Sequence, residues 1–127
     1  MNKVESFEHA CTLLGICTEL PDVSMVPEKE RESLLSFYKL TIIIRATNTR
    51  PDGTTWEPDW LNKGQRKWYN WFWVEEVDGN AGLGYSTTDY TATAAHASIG
   101  SRLCFETAEQ AIYVRETFKD LYAKYLL

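Results

Sequence analysis

The residues that could perform acid–base or nucleophilic chemistry are few in this sequence. Its two histidines are His9 and His96, and His96 stands in the small-residue run TATAAHASIG, shortly before Ser101. A small hydrolase built around His96 and Ser101 is therefore one hypothesis. The sequence contains neither the Gly-x-Ser-x-Gly elbow of serine hydrolases nor another nucleophile signature. We therefore predict that the protein is not an enzyme.

The three cysteines, Cys11, Cys17 and Cys104, do not form a metal-binding pattern. Structural zinc sites usually present two pairs of ligands, with about two to four residues inside each pair. Here Cys11 and Cys17 are farther apart, and His9 is the one histidine near them. An odd number of cysteines is also not a disulfide framework. We expect reduced thiols, no metal and no cofactor.

Composition limits the class of protein and its partners. The 127 residues are 44% hydrophobic and 24% charged, which is typical of a globular chain and favours a single domain over residues 1–127. The formal net charge of −5 makes nucleic acid an unlikely partner, because binding to phosphates needs clustered Lys and Arg. The charge is uneven, since residues 71–101 contain four acids and no Lys or Arg.

The sequence gives no indication of membrane insertion or secretion. Its N-terminus lacks the basic start and long apolar middle of a signal peptide. Its apolar runs fall far short of the ~20 residues that span a bilayer. We therefore expect a cytoplasmic protein without a membrane partner.

All five tryptophans lie within residues 56–73, WEPDWLNKGQRKWYNWFW. Pro58 restricts the backbone, so Trp56 and Trp60 are expected to anchor an irregular loop to the core. From residue 68 onward the segment is typical of a strand, in which alternate side chains point to opposite faces. One face would carry Tyr69, Trp71 and Trp73, and the other Trp68, Asn70, Phe72 and Val74.

Both faces of this predicted strand are mostly apolar, so each must either be covered or be exposed to solvent. An exposed face would bring aromatic side chains close to polar and basic ones. The candidate interaction surface consists of Trp56, Trp60, Gln65, Arg66, Lys67, Tyr69, Trp71 and Trp73. Trp, Tyr and Arg are the usual anchors of protein interfaces. Stacking on single-stranded nucleic acid is an alternative, and burial of these aromatics in an ordinary core is another.

The elements that must position these residues follow from periodicity and capping signals. We predict three helices: one between a Ser6 cap and a Gly15 stop, a long one over residues 27–47, and one from a Thr107–Gln110 capping box to about Tyr125. Three strands are predicted at 68–74, 82–91 and 101–106, with a hairpin turn at Asp78-Gly79-Asn80. Residues 92–99 are ambiguous. The order α-α-β-β-β-α predicts an α+β fold with an antiparallel sheet.

Several sequence pieces resemble those of a known family. They are FEHACTLLGI (7–16), YKL (38–40), WEPDW (56–60), KWYNWF (67–72), GSRLCFET (100–107) and AIYVRETFKDLYAKYL (111–126). Together they resemble a family of small uncharacterised proteins from phages, prophages and related mobile elements of gut Bacteroides-type bacteria. Members often carry proline where Asn70 stands. The resemblance implies an origin and a shared fold, and no chemistry.

The function favoured by these patterns is that of a small accessory protein of phage or mobile-element origin. It is expected to bind an unknown protein partner, or a second copy of itself, through the aromatic surface. Gln65, Arg66 and Lys67 would then form a polar rim. A weak single-stranded nucleic-acid-binding protein is the alternative, followed by the hydrolase around His96 and Ser101.

Overall fold

Four helices and a two-stranded antiparallel sheet make up the structure, a computed structural model that describes residues 2–92 and 99–127. In chain order the elements are α1 (Phe7–Leu14), α2 (Glu28–Thr47), β1 (Lys67–Val77), β2 (Asn80–Thr91), a 3-10 turn (Ser101–Leu103), α3 (Ala108–Thr117) and α4 (Lys119–Leu126). The α+β class is therefore confirmed. No helix in this part of the chain is long and apolar enough to cross a membrane.

The first two helices form where the sequence predicts them. Ser6 Oγ accepts a hydrogen bond from the His9 backbone N–H at 3.0 Å, and Gly15 ends α1 in the left-handed conformation with φ 68°. Helix α2 follows Pro27 directly. It is the central helix of the fold, with α1 and α4 packed against it and Leu40 and Ile43 fully buried.

Strands β1 and β2 form a long hairpin, in register from Lys67 opposite Thr91 to Val77 opposite Asn80. The two residues that connect the strands, Asp78 and Gly79, have φ values of 52° and 82°. Positive φ at both positions is the geometry of a type I′ turn, for which Asp-Gly is a preferred sequence. A bulge between Phe72 and Val74 interrupts the register.

The predicted third strand at 101–106 is wrong. Residues Ser101–Leu103 form the 3-10 turn, and only Phe105 pairs with β1, through a single bridge to Trp68. The side chain of Asn48 instead donates to Cys104 O at 2.9 Å and accepts from Glu106 N at 3.1 Å. The side chain of Asn48, at the end of α2, thus hydrogen-bonds to backbone groups on both sides of Phe105 that would otherwise be free for strand pairing.

The predicted C-terminal helix is also divided, because it breaks at Phe118. The capping box is present as predicted, with Thr107 Oγ1 accepting from Gln110 N and Gln110 Oε1 accepting from Thr107 N. Phe118 leaves helical geometry (φ −118°, ψ 30°) and is buried. The break lets α3 pack on the hairpin while α4 packs along α2.

Candidate functional site

One face of the hairpin, which we call the covered face, packs on α3 and α4. It carries Asn70 and Phe72 of β1. Asn70 Nδ2 donates to Ala111 O at 2.8 Å and to the Tyr122 hydroxyl at 3.2 Å. Its Oδ1 accepts from Thr88 Oγ1 on the neighbouring strand at 2.6 Å. The amide of Asn70 therefore satisfies three buried polar partners and fixes the hairpin to both C-terminal helices.

Aromatic packing and a second polar contact complete the covered face. The rings of Phe72 and Tyr122 lie 5.0 Å apart, and Arg115 Nη1 donates to Thr88 Oγ1 at 2.9 Å. Burial raises the pKa of Tyr122 to about 12, because a buried phenolate would lose its hydration. Every part of this arrangement serves packing between the hairpin and the helices.

The opposite face of the hairpin, which we call the open face, carries Tyr69, Trp71 and Trp73 of β1 with Tyr85 of β2. Tyr69 and Trp71 are half-buried, whereas Trp73 and Tyr85 are 57% and 62% exposed. The rings of Trp71 and Trp73 meet edge to face, with centroids 5.5 Å apart. Exposed aromatics in contact with one another form an apolar patch of the kind that marks interaction sites.

The loop that precedes β1 covers the beginning of this same face. Lys67 leads β1 and is fully buried, although it is a lysine. Its Nζ donates to Asn62 O and Gln65 O, both at 3.0 Å, and lies 5.3 Å from the centre of the Trp60 ring. The Lys67 Nζ is thus held by two backbone carbonyls and an aromatic face rather than by a carboxylate.

Gln65 is a second internal support of the loop. Its Oε1 accepts from Asp59 N at 2.7 Å, and its Nε2 donates to Glu57 O at 3.2 Å. Trp60 is held as well, since its Nε1 donates to Ser101 Oγ at 2.8 Å. Lys67 and Gln65 therefore act inside the loop.

The remaining predicted surface residues, Trp56 and Arg66, lie elsewhere. Trp56 is only 7% exposed and belongs to the core, and its backbone N–H donates to Asn48 O at 3.0 Å. Arg66 is exposed, but its guanidinium stacks 4.5 Å above the Tyr90 ring. The structure thus places Tyr69, Trp71 and Trp73 on one face, with Lys67 buried at its start and with Trp56 and Arg66 away from it.

Acidic residues surround the exposed part of the hairpin instead of the polar rim of Gln65, Arg66 and Lys67 predicted from sequence. Glu75 and Glu76 follow Trp73 along β1, Asp78 occupies the turn, and Asp89 stands opposite Tyr69. All four lie on the exposed surface, and the Glu75 side chain extends across Gly84. The sequence shows this acidic segment, but the acids were not predicted to lie beside the aromatic surface.

Comparisons with protein-family models, with curated proteins and with solved structures find no match to this chain.

The candidate catalytic and metal residues are not brought together among the described residues. Ser101 Oγ is the acceptor for Trp60, and His96 lies outside the described residues. His9 Nδ1 accepts from Glu5 N at 3.0 Å. Within residues 2–92 and 99–127, no three His, Cys, Asp or Glu side chains are grouped as metal ligands. Cys104 is buried, which raises the pKa of its thiol to about 11.

Proposed function

We propose that the protein is a small accessory protein of phage or mobile-element origin that works in the host cytoplasm by binding another protein through the open face. The sequence resemblance supports the origin, and the geometry of the hairpin supports the mode of action. The observation that carries the proposal is the exposure of Trp73 and Tyr85 beside the half-buried Trp71, because Trp73 and Tyr85 have no packing role comparable to that of Asn70 and Phe72.

The open face has the composition of a protein-binding patch. Trp and Tyr bring large contact areas with few rotatable bonds, so binding costs little side-chain entropy. The half-buried Trp71 would form the centre of the interface, and Trp73 and Tyr85 would pack against the partner's apolar side chains. Glu75 and Asp89 would form part of the rim. The partner best suited to this surface is a protein with an apolar patch bordered by Lys or Arg.

The charges favour a different protein over a second copy of this chain. In a symmetric pair the acidic rim of one copy would face the acidic rim of the other, and like charges facing each other oppose association. The same acids would repel the phosphates of a single-stranded nucleic acid. Arg66, the base that the nucleic-acid alternative would use, is stacked on Tyr90 on the other side of the hairpin.

Affinity capture from the host cell with matched variants tests the proposal. The bait variants are Trp73→Ser combined with Tyr85→Ser, which removes the two most exposed aromatics of the open face. The control is Met25→Ser, because Met25 is 94% exposed and lies in the connector between α1 and α2. We expect one protein that the wild type and Met25→Ser retain and the double variant loses. That protein is then purified and its binding measured directly.

The affinity between purified proteins should fall by about 10- to 100-fold in the double variant, as for the loss of interface anchors. It should also fall with added salt, because the rim contacts are ionic. Equal binding by all three forms would contradict the proposal. If sedimentation shows a wild-type dimer that the double variant does not form, the partner is a second copy of this chain. If the wild type retains oligonucleotide, the nucleic-acid alternative is favoured.

A further inference from the structure

A cleft that does not include the open-face aromatics lies between the C-terminal half of α2 and two loop segments. Residues 55–58 form one wall, Ser101 and Arg102 the other, and α2 the base, and the volume of this open cleft is about 470 Å³. This volume lies within the range of small-molecule sites, which is roughly 300–1,000 Å³. The proposed protein-binding function makes no use of this cleft.

Part of the cleft lining is apolar, beside polar residues such as Thr41, Asn48 and Thr55. Ile42 and Ile44 of α2 and the Trp56 side chain form this apolar part, and all three are buried. The Trp56 backbone N–H donates a hydrogen bond to Asn48 O. The Asn48 side chain is itself hydrogen-bonded to the backbone of Cys104 and Glu106. A ligand entering here would meet small apolar surfaces of Ile42, Ile44 and Trp56 next to polar groups.

Two arginines stand at the mouth of the cleft. Arg45 belongs to the last turn of α2, Arg102 to the 3-10 turn, and both are exposed. Neither forms a salt bridge with a described residue, in contrast to Arg50, which pairs with Glu106 at 2.6 Å. Glu57 is the single acid among the lining residues. The charge at the mouth is therefore net positive in a protein whose overall charge is −5.

The end of α2 does not cancel this positive charge. The last carbonyls of a helix carry partial negative charge and would repel an anion if they were free. Here Ala46 O accepts from Asn2 Nδ2 at 3.0 Å, Thr47 O from Gln110 Nε2 at 3.0 Å, and Arg45 O from Thr49 Oγ1 at 2.9 Å. These donors offset the negative end of the helix, which leaves the two guanidiniums to set the local potential.

We infer that the cleft binds a small organic anion, with its carboxylate or phosphate held between Arg45 and Arg102 and its apolar part against Ile42, Ile44 and Trp56. Guanidinium groups bind both kinds of anion through paired hydrogen bonds. The apolar side chains among the lining residues favour an anion with a hydrocarbon portion over a bare inorganic one. The Ser101 hydroxyl, which accepts from Trp60, retains its own proton for donation to the ligand.

Titration followed by ¹H–¹⁵N NMR tests this site with defined probes. The anionic probes are 3-phenylpropionate and phenyl phosphate, which distinguish carboxylate from phosphate. The comparison probes are 3-phenylpropan-1-ol, which has the same skeleton without charge, and inorganic phosphate, which lacks the apolar part. We expect saturable shifts of the Trp56 indole N–H with at least one organic anion in the millimolar range. The neutral alcohol and inorganic phosphate should bind more weakly.

Charge-matched variants locate the binding. Arg45→Gln with Arg102→Gln removes both guanidiniums of the cleft. Lys63→Gln with Arg66→Gln removes the same charge from exposed positions outside it. We expect the first pair to weaken binding about tenfold or more, as for the loss of hydrogen bonds to a charged group, and the second pair to leave it nearly unchanged. If the first pair unfolds the protein, Arg102→Gln alone serves, because Arg102 lies outside the helices.

Three results would overturn the inference. One is the absence of saturable Trp56 shifts with both organic anions. Another is equal weakening by the cleft variants and by the charge-matched control, which would show a general charge effect. The third is binding of 3-phenylpropan-1-ol as tight as that of 3-phenylpropionate, which would assign the cleft to a neutral ligand.

Discussion

The two faces of the β1–β2 hairpin contain similar aromatic residues, but one packs on the helices and the other is partly exposed. On the covered face, Phe72 packs on Tyr122 and Asn70 bonds to α3 and α4. On the open face, Trp71 and Trp73 pack mainly on each other, and Trp73 is 57% exposed. Alternation along a strand divides side chains between faces, but only the elements that pack against each face decide which aromatics become core.

The loss of Phe72 should produce the largest effect on stability. Phe72→Ala removes a ring that packs on Tyr122 and leaves a cavity between the hairpin and α4. We expect the free energy of unfolding to fall by about 3 kcal/mol, measured by urea denaturation. Trp73→Ala is the matched change on the open face and should lower the free energy of unfolding by less than about 1 kcal/mol. Equal losses from the two substitutions would contradict the difference between the faces.

A smaller effect, confined to alkaline pH, should also come from the covered face. Burial raises the pKa of Tyr122 from 10.0 to about 12. Because the unfolded chain loses this proton first, the stabilisation is fully present below pH 10 and declines as pH rises from 10 to about 12. Tyr122→Phe should show a shallower decline in unfolding free energy over that range than the wild type.

The control for that experiment is Tyr85→Phe, because Tyr85 is 62% exposed on the open face. It should leave the slope of stability against pH unchanged. A Tyr122→Phe variant with the same alkaline slope as the wild type would show that the buried hydroxyl does not titrate as described.

The sequence was informative wherever a signal acts over a few residues. The Ser6 cap, the Gly15 stop, the Thr107–Gln110 capping box and the Asp78-Gly79 turn are all present as predicted. Each depends on hydrogen bonds or backbone conformations within one turn of chain, so distant residues have little influence on it.

Features that depend on distant residues were missed. The alternation in SRLCFE is typical of a strand, yet Asn48 takes up backbone groups on both sides of Phe105. The break at Phe118 has no Gly or Pro to signal it and follows from the separate packing of α3 and α4. Both outcomes depend on which element lies opposite, which a local pattern does not contain.

The division of the aromatic segment was predicted in outline, whereas the role of its bases was not. A loop anchored by tryptophan followed by a strand matches the structure. The burial of Lys67 depends on carbonyls of Asn62 and Gln65 that only the folded loop brings together. A lysine among exposed aromatics is usually solvated, so its spacing alone gave no reason to place it inside.

The most direct test of the open face is the solvent accessibility of individual tryptophan side chains. A soluble paramagnetic gadolinium chelate broadens the NMR signal of each indole N–H, and the broadening is stronger the closer the chelate can come to that N–H. We expect strong broadening for Trp73, intermediate broadening for Trp71 and retention of the Trp56 signal, in line with exposures of 57% for Trp73 and 7% for Trp56. A Trp73 signal as protected as that of Trp56 would show that this face is covered and would contradict its role as a binding surface.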